Sequence, residues 1–77
     1  MDFSAALAAL KQGKRIQREG WSERGVFAHA VAASPQEHII QYIVLRYPEV
    51  WVPHVSPTVP WIPSQLDLFA EDWVILD

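Results

Sequence analysis

The sequence contains no cysteine, only three glycines and no excess of basic residues. Without cysteine the chain has neither disulfides nor thiolate metal ligands, and this composition is compatible with a reducing compartment. It has no glycine-rich phosphate loop and no Gly-x-Ser-x-Gly elbow, which argues against a P-loop enzyme and against a serine hydrolase. A formal net charge of −3 argues against a surface that neutralises many phosphates, so we expect no polymeric nucleic acid as a partner.

Long hydrophobic runs are also lacking. No stretch approaches the roughly 18 apolar residues of a membrane span, and residues 1–4 lack the basic and apolar regions of a signal peptide. We therefore expect an intracellular chain without a membrane partner.

Apolar and aromatic residues, by contrast, are abundant. Hydrophobic residues make up 51% of the 77 positions and include four tryptophans. A single domain spanning 1–77 is small enough to be marginally stable on its own. We expect a homo-oligomer that buries part of this apolar surface between subunits.

The first part of the chain predicts a helix over about residues 3–12. Phe3, Ala6, Leu7 and Leu10 recur at helical spacing, and Gly13 stands where a left-handed residue commonly ends a helix. Asp2 or Ser4 is placed to cap it.

Four later segments predict strands. Residues 14–18 form a short one with Ile16 inward, and 26–31 pairs with 39–45 as a hairpin around a turn at 34–37. Residues 73–76 read as a closing strand, and a further edge strand is expected around 50–52. The predicted fold class is α+β, with the N-terminal helix packed on an antiparallel sheet.

The densest part of the chain, residues 59–73, combines proline, tryptophan and acid. Pro60 and Pro63 predict a stiff extended loop that excludes a strand interior and presents Trp61. Ser64 and Asp67 have the spacing of a capping box, so a short helix is expected to begin at Gln65.

That short helix is expected to turn an apolar face to the core. Leu66, Phe69 and Ala70 follow at spacings of three and four. The residues expected to look elsewhere are Gln65, Asp67 and Glu71.

Three motifs together resemble the phage Thoeris anti-defence two-like family. The first is the Phe-x-x-Ala-Leu-x-x-Leu-x-x-Gly pattern over 3–13, the second is Arg-Glu-Gly-Trp at 18–21, and the third is the Pro-Trp-x-Pro-Ser-Gln element running through 60–73. The central segment 32–56 matches no motif of the family.

The resemblance implies a phage-encoded sponge that binds a cyclic ADP-ribose isomer without hydrolysing it. It further implies a tetramer acting in the cytoplasm of the infected bacterial host, without a cofactor and without enzymatic activity. Some relatives of the family are also able to hold cyclic dinucleotides.

The candidate binding residues lie in the second and third motifs and beside them. Trp21 and Trp61 are candidates for stacking on a purine, the alternative being that both are core residues. Arg18 and Arg24 flank Trp21 and are candidates for a pyrophosphate, unless they are solvated charges.

The beginning of the short helix supplies the remaining candidates. Ser64, Gln65 and the following amides are placed to hold a phosphate or a ribose hydroxyl, and an ordinary helix cap is the structural alternative. Asp67 is a candidate acceptor from ribose hydroxyls or a purine amino group, and otherwise a first-turn helix acid.

Histidines 29, 38 and 54 have no metal-ligand spacing, so we predict no metal site.

Two other functional classes remain open. A protein-protein interaction or structural module of a phage or prophage is the alternative to a sponge, because exposed aromatics serve that role as well. A phosphodiesterase-like enzyme is a weaker third possibility.

Overall fold

The structure is a computed structural model that describes residues 1–22, 25–48 and 57–76. The described residues form two α-helices and five strands. In order, the elements are α1 Phe3–Lys11, β1 Arg15–Arg18, β2 Phe27–Val31, a 3-10 turn Pro35–Glu37, β3 Tyr42–Arg46, β4 Thr58–Pro60, α2 Gln65–Phe69 and β5 Trp73–Leu76.

The strands form one antiparallel sheet in the order β4-β3-β2-β1-β5. The last strand of the chain therefore pairs with the first, and Arg18 lies opposite Trp73. The predicted α+β class, the hairpin of β2 with β3 and the closing strand are confirmed. This strand order brings the residues after β1 next to those before β5.

Helix α1 has the caps that its sequence predicts. The carboxylate of Asp2 accepts a hydrogen bond from the Ala5 amide at 2.9 Å, and Gly13 follows the helix with a φ of 83°. A φ in this region favours glycine because it has no Cβ to clash. The helix therefore ends at Lys11, and β1 begins at Arg15.

The core lies between α1 and one face of the sheet, here called the inner face. Trp73, Leu10 and Ile16 are its largest fully buried side chains. Ala6 and Ala28 are also fully buried, and such small side chains let the helix backbone lie close to the sheet. Trp73 at 1% exposure is thus a core residue, as the sequence predicts.

The predicted orientation of α2 is wrong. Leu66 and Phe69 are 79% and 82% exposed, whereas Asp67 is buried at 9%. A helix of five residues is too short for its apolar spacing to decide which side faces inward. Polar contacts decide it instead, because Asp67 is bonded through its side chain and its carbonyl to groups inside the fold.

Pro60 is part of a strand, contrary to the prediction of an extended loop. It is the last residue of β4, where it pairs with Val44, while Val59 pairs with Leu45. The missing amide of proline is tolerated because β4 lies at the edge of the sheet. The edge strand predicted around 50–52 falls outside the described residues.

The predicted strand over 39–45 is shifted in the structure. β3 begins only at Tyr42, and Ile40 before it is 82% exposed. The bridge between Ser34 and Ile39 closes the turn first, and this pairing separates the two isoleucines from the ladder. β3 remains an interior strand between β4 and β2.

The opposite face of the sheet, here called the outer face, carries Phe27, His29, Val31, Tyr42 and Val44. Alternation along the strands and the register of β2 with β3 place these five side chains together. Among the described elements, neither helix covers this face. The Nε2 atom of His29 is buried there without a hydrogen-bond partner in the described part of the chain.

No helix in the described ranges is both long and apolar enough to cross a membrane.

Candidate ligand-binding cleft

Three tryptophans from different parts of the chain meet above the core. The ring centroids of Trp21 and Trp61 are 6.0 Å apart with the planes at 85°, and those of Trp21 and Trp73 are 5.5 Å apart at 80°. Phe3 packs edge-on against Trp73 at 5.5 Å. Such edge-to-face contacts stabilise an aromatic cluster beyond the area that it buries.

The backbone presents Trp21 and Trp61 from two short connections. The Trp21 amide donates to the Arg18 carbonyl at 3.2 Å, which closes a turn directly after β1. The Trp61 amide donates to the Ile43 carbonyl at 3.0 Å, so Trp61 is held at the end of β4. Both rings are half-buried. The backbone of each residue is held by one of these hydrogen bonds.

A cleft of about 200 Å³ opens beside these two rings. Its walls are formed by Trp21, Ser22, Val26, Leu45, Tyr47, Trp61 and Asp67. This volume is below the roughly 300–1,000 Å³ of most small-molecule sites. The described cleft therefore has room for one part of a nucleotide-sized ligand.

Three of the seven predicted binding residues line this cleft: Trp21, Trp61 and Asp67. Trp21 is far from Trp61 and Asp67 in the sequence, and the sheet topology brings it next to them.

Asp67 is held by three hydrogen bonds to its carboxylate. Oδ1 accepts from Arg18 Nη1 at 3.0 Å, and Oδ2 accepts from the Ser64 amide and the Ser64 hydroxyl at 2.9 Å each. A carboxylate has about four acceptor positions, and donors within the described residues occupy three of them. The indole of Trp73 also contacts Asp67, because its Nε1 donates to the Asp67 carbonyl at 3.0 Å.

The electrostatics of Asp67 favour the ionised form. Burial alone would raise the pKa of its carboxyl, but the hydrogen bonds from Ser64 and Arg18 outweigh burial and leave the pKa lowered. Asp67 is accordingly a charged acceptor at neutral pH.

Arg18 lies between two carboxylates. Besides Asp67 it contacts Asp72, whose Oδ1 accepts from Arg18 Nε at 2.8 Å. The hydrogen bonds that Arg18 donates, to Asp72 first and then to Asp67, raise the pKa of the guanidinium, and the bond from Arg18 lowers the pKa of Asp72. One positive and two negative charges leave this trio with a net negative charge, which does not favour a pyrophosphate at Arg18.

The remaining predicted residues lie outside the cleft wall. Ser64 is the cap of α2, where its hydroxyl accepts from the Asp67 amide at 3.1 Å and completes the predicted capping box. Gln65 is exposed at the first position of α2. Arg24 lies outside the described residues.

Four residues of the cleft wall were missed by the sequence reasoning: Ser22, Val26, Leu45 and Tyr47. A signal for two of them exists in the strand alternation, because Leu45 lies in β3 and Tyr47, which directly follows β3, is two positions further on. Val26 directly precedes β2 and is buried, and it is the first residue of the strand predicted over 26–31.

The perpendicular arrangement of Trp21 and Trp61 limits how a flat ring can bind. Two parallel walls are not present, so a base that stacks on one indole meets the edge of the other. This is the offset or T-shaped geometry that aromatic rings prefer.

His29 and His38 are not part of the cleft wall. His29 is on the outer face, and His38 follows the 3-10 turn with a φ of 59°. Within the described ranges, no group of three potential ligands is placed to hold a metal ion. His54 falls outside those ranges.

Taken together, the fold and the cleft define a small α+β protein with an aromatic cleft above an ion-paired aspartate. A family model described as the Thoeris anti-defense 2-like domain matches residues 1–76, and the chain belongs to this family. The resemblance seen in the three motifs is thus confirmed.

A curated relative is similar over nearly the whole chain. It is Thoeris anti-defense 2 of Bacillus phage SP01, which is 31% identical over 86 residues, an alignment that covers 99% of this chain and 94% of the relative. Membership of this family supports a phage anti-defence role.

Proposed function

We propose that the chain is a phage anti-defence sponge that binds a cyclic ADP-ribose isomer and sequesters it without degrading it, which blocks host immune signalling. The observation that carries this proposal is the meeting of Trp21, Trp61 and Asp67 in one cleft. Two aromatic surfaces and one charged acceptor are a suitable combination for a purine nucleoside.

The purine would stack on one indole, which contributes about 1–3 kcal/mol per base. The fourth acceptor position of the Asp67 carboxylate would take a hydrogen bond from a ribose hydroxyl or an exocyclic amino group. Arg18 and Ser64 would act through Asp67, because both hold its carboxylate in place.

The same geometry favours binding over catalysis. A general acid or base works best with a pKa near the operating pH. Asp67 has a lowered pKa and three bonded partners, so it is poorly suited to exchanging a proton with a substrate. A sponge needs only affinity and slow release.

The small volume of the cleft supports a role for assembly. A cyclic ADP-ribose isomer is larger than the described cleft can enclose, so its phosphates must meet other groups. Arg24, Gln65 and a second subunit are the proposed sources. The outer face, which no described helix covers, is the proposed contact in a homo-oligomer, with a tetramer favoured.

The signal is made inside the infected bacterium, and we therefore place the action of this protein in the host cytoplasm. Cyclic dinucleotides are a second proposed ligand class, since they share the base and phosphate chemistry of the first.

A recovery experiment tests the proposal. The protein is incubated with cyclic ADP-ribose isomers, separated from free ligand, heat-denatured, and the released compound is identified by chromatography and mass spectrometry. We expect intact ligand in stoichiometric amount. Recovery of a degraded compound, or of none, would reject a sponge for these ligands.

Variants assign the binding to the cleft. Trp21→Phe and Trp61→Phe keep an aromatic ring, whereas Trp21→Ala and Trp61→Ala remove it. We expect the alanine variants that remain folded to lose at least about tenfold in affinity, and the phenylalanine variants to lose less. Circular dichroism supplies the control for folding.

An interaction module is the second candidate, and one observation favours it. Leu66 and Phe69 form an apolar stripe on α2, and they and Ile62, which precedes the helix, are each 79% exposed or more. A thermal-shift screen separates the two candidates, because a ligand that binds only the folded protein raises its melting temperature. A module without a ligand site would show no shift with any cyclic nucleotide.

A further inference from the structure

Asp72 lies outside the cleft wall, in the connection between α2 and β5, and contacts three successive residues of the turn after β1. Its Oδ1 accepts from Arg18 Nε and its Oδ2 from the Gly20 amide, at 2.8 Å each. Its backbone carbonyl accepts from the Glu19 amide at 3.0 Å. Asp72 thus accepts hydrogen bonds from Arg18 at the end of β1 and from Glu19 and Gly20 in the turn.

The carboxylate packs directly against the turn backbone. A Cβ atom at Gly20 would lie 2.9 Å from Asp72 Oδ2, closer than such contacts normally are. A side chain at this position would therefore force the Asp72 carboxylate to move away from the turn. The short hydrogen bond from the Gly20 amide to the Asp72 carboxylate therefore depends on the absence of a side chain at Gly20.

The turn held in this way ends at Trp21. Its amide donates to the Arg18 carbonyl. Its ring packs against the rings of Trp61 and Trp73, with centroid distances of 6.0 and 5.5 Å. We propose that Asp72 is a positioning residue that sets the orientation of Trp21 in the cleft without touching the ligand. The consequence for ligand binding rests on the proposed function.

The substitution Asp72→Asn isolates this role. Asparagine keeps the shape, but its NH2 group replaces one acceptor, so it cannot accept from both Arg18 Nε and the Gly20 amide. Arg18 retains its contact with Asp67, which preserves the other half of the network. The matched control is Glu71→Gln, the same chemical change at the preceding, exposed residue.

Spectra without ligand test the positioning directly. The protein is labelled with 5-fluorotryptophan, and the signals are assigned by single Trp→Phe substitutions. In Asp72→Asn we expect the Trp21 signal to move or broaden and the Gly20 amide resonance to shift, while the signal of the buried Trp73 stays in place. A merely structural role would change all tryptophan signals together or none.

Binding tests the functional consequence. With a cyclic ADP-ribose isomer as the probe in calorimetry, we expect Asp72→Asn to bind at least about tenfold more weakly than the parent protein, and Glu71→Gln to bind within about twofold of it. An unchanged Trp21 signal together with unchanged affinity in Asp72→Asn would overturn the proposal.

The two proposals fail in different ways. If the parent protein binds no probe, the sponge function fails, whereas the fluorine spectra still decide whether Asp72 positions Trp21. If Asp72→Asn does not fold, Gly20→Ala is the second variant, since its Cβ displaces the carboxylate from the turn. The same selective change of the Trp21 signal is expected there, and its absence would overturn the positioning role.

Discussion

Asp67 shows how much one side chain can do in a small domain. Its backbone amide and carboxylate form the capping box with Ser64, its Oδ1 binds Arg18, and the same carboxylate lines the cleft. Stability and the proposed binding therefore both involve the same residue. Variants at its partners separate the two contributions.

The cap of α2 gives the first prediction. Ser64→Ala removes the acceptor for the Asp67 amide, and we expect the free energy of unfolding to fall by about 0.5–2 kcal/mol in urea denaturation. The control is Ser4→Ala at an exposed position within α1, where alanine favours the helix. Equal stability of the Ser64 variant and the parent would contradict the role of the cap.

The ion-paired carboxylates give a second prediction, on pH. The pKa values of Asp67 and Asp72 are lowered in the folded state, so below neutrality the unfolded chain takes up protons more readily. Their stabilising effect is complete well above the ordinary aspartate pKa of about 3.9. It is lost as the pH falls through that value and on through the lowered folded-state values.

Urea unfolding between neutral pH and pH values below the ordinary aspartate pKa measures this dependence. We expect Asp67→Asn to be less stable than the parent at neutral pH and to lose less stability in acid. Glu19→Gln, at an exposed acid next to the turn, is the control and should follow the parent. Identical slopes for the parent and Asp67→Asn would refute this assignment.

At the scale of elements, the two helices are oriented by different forces. α1 spans nine residues and buries Ala6, Ala9 and Leu10, so its apolar spacing decides which side meets the sheet. α2 spans five residues, and its capping box and the contacts of Asp67 decide its orientation. Its apolar stripe is left outside as a result.

This difference predicts contrasting responses to substitution. Leu66→Ser and Phe69→Ser, on the exposed stripe, should change the free energy of unfolding by no more than about 0.5 kcal/mol. Leu10→Ala in the core should cost about 2–5 kcal/mol. Chemical denaturation measures both, and a large loss at Leu66 would show that the stripe is covered in solution.

At the scale of the whole molecule, the sheet order joins the two ends of the chain. β5 lies next to β1, and this pairing puts the Arg-Glu-Gly-Trp motif beside the Asp-Trp motif. The same sheet separates the cleft on the inner face from the outer face with Phe27 and Val31. The proposed ligand site and the proposed subunit contact can therefore be tested by separate substitutions.

The outer face gives the prediction for assembly. Val31→Lys introduces a charge there, and we expect the mass measured by light scattering during size-exclusion chromatography to fall towards that of the monomer. Ala8→Lys, an exposed position on α1, is the control and should keep the mass of the parent. An unchanged assembly in Val31→Lys would place the subunit contact elsewhere.

Much of the local structure was predictable from the sequence. The extent of α1, its end at Gly13, the hairpin, the capping box and the closing strand follow from caps, turns and alternation over a few residues. The resemblance to the Thoeris anti-defence family also came from short motifs. Each of these features depends on residues that are close together in the chain.

Only the tertiary structure decided which side of α2 is buried, where Pro60 pairs and what Arg18 binds. The partners of Arg18 are 49 and 54 positions away, and they reach it only because β5 adds to the sheet beside β1. Short-range patterns contain no information about such pairs, and in a five-residue helix the burial of one ion-paired aspartate outweighs the apolar spacing. The sequence by itself therefore determined most of the elements and the family, while the sheet order determined which residues share the cleft.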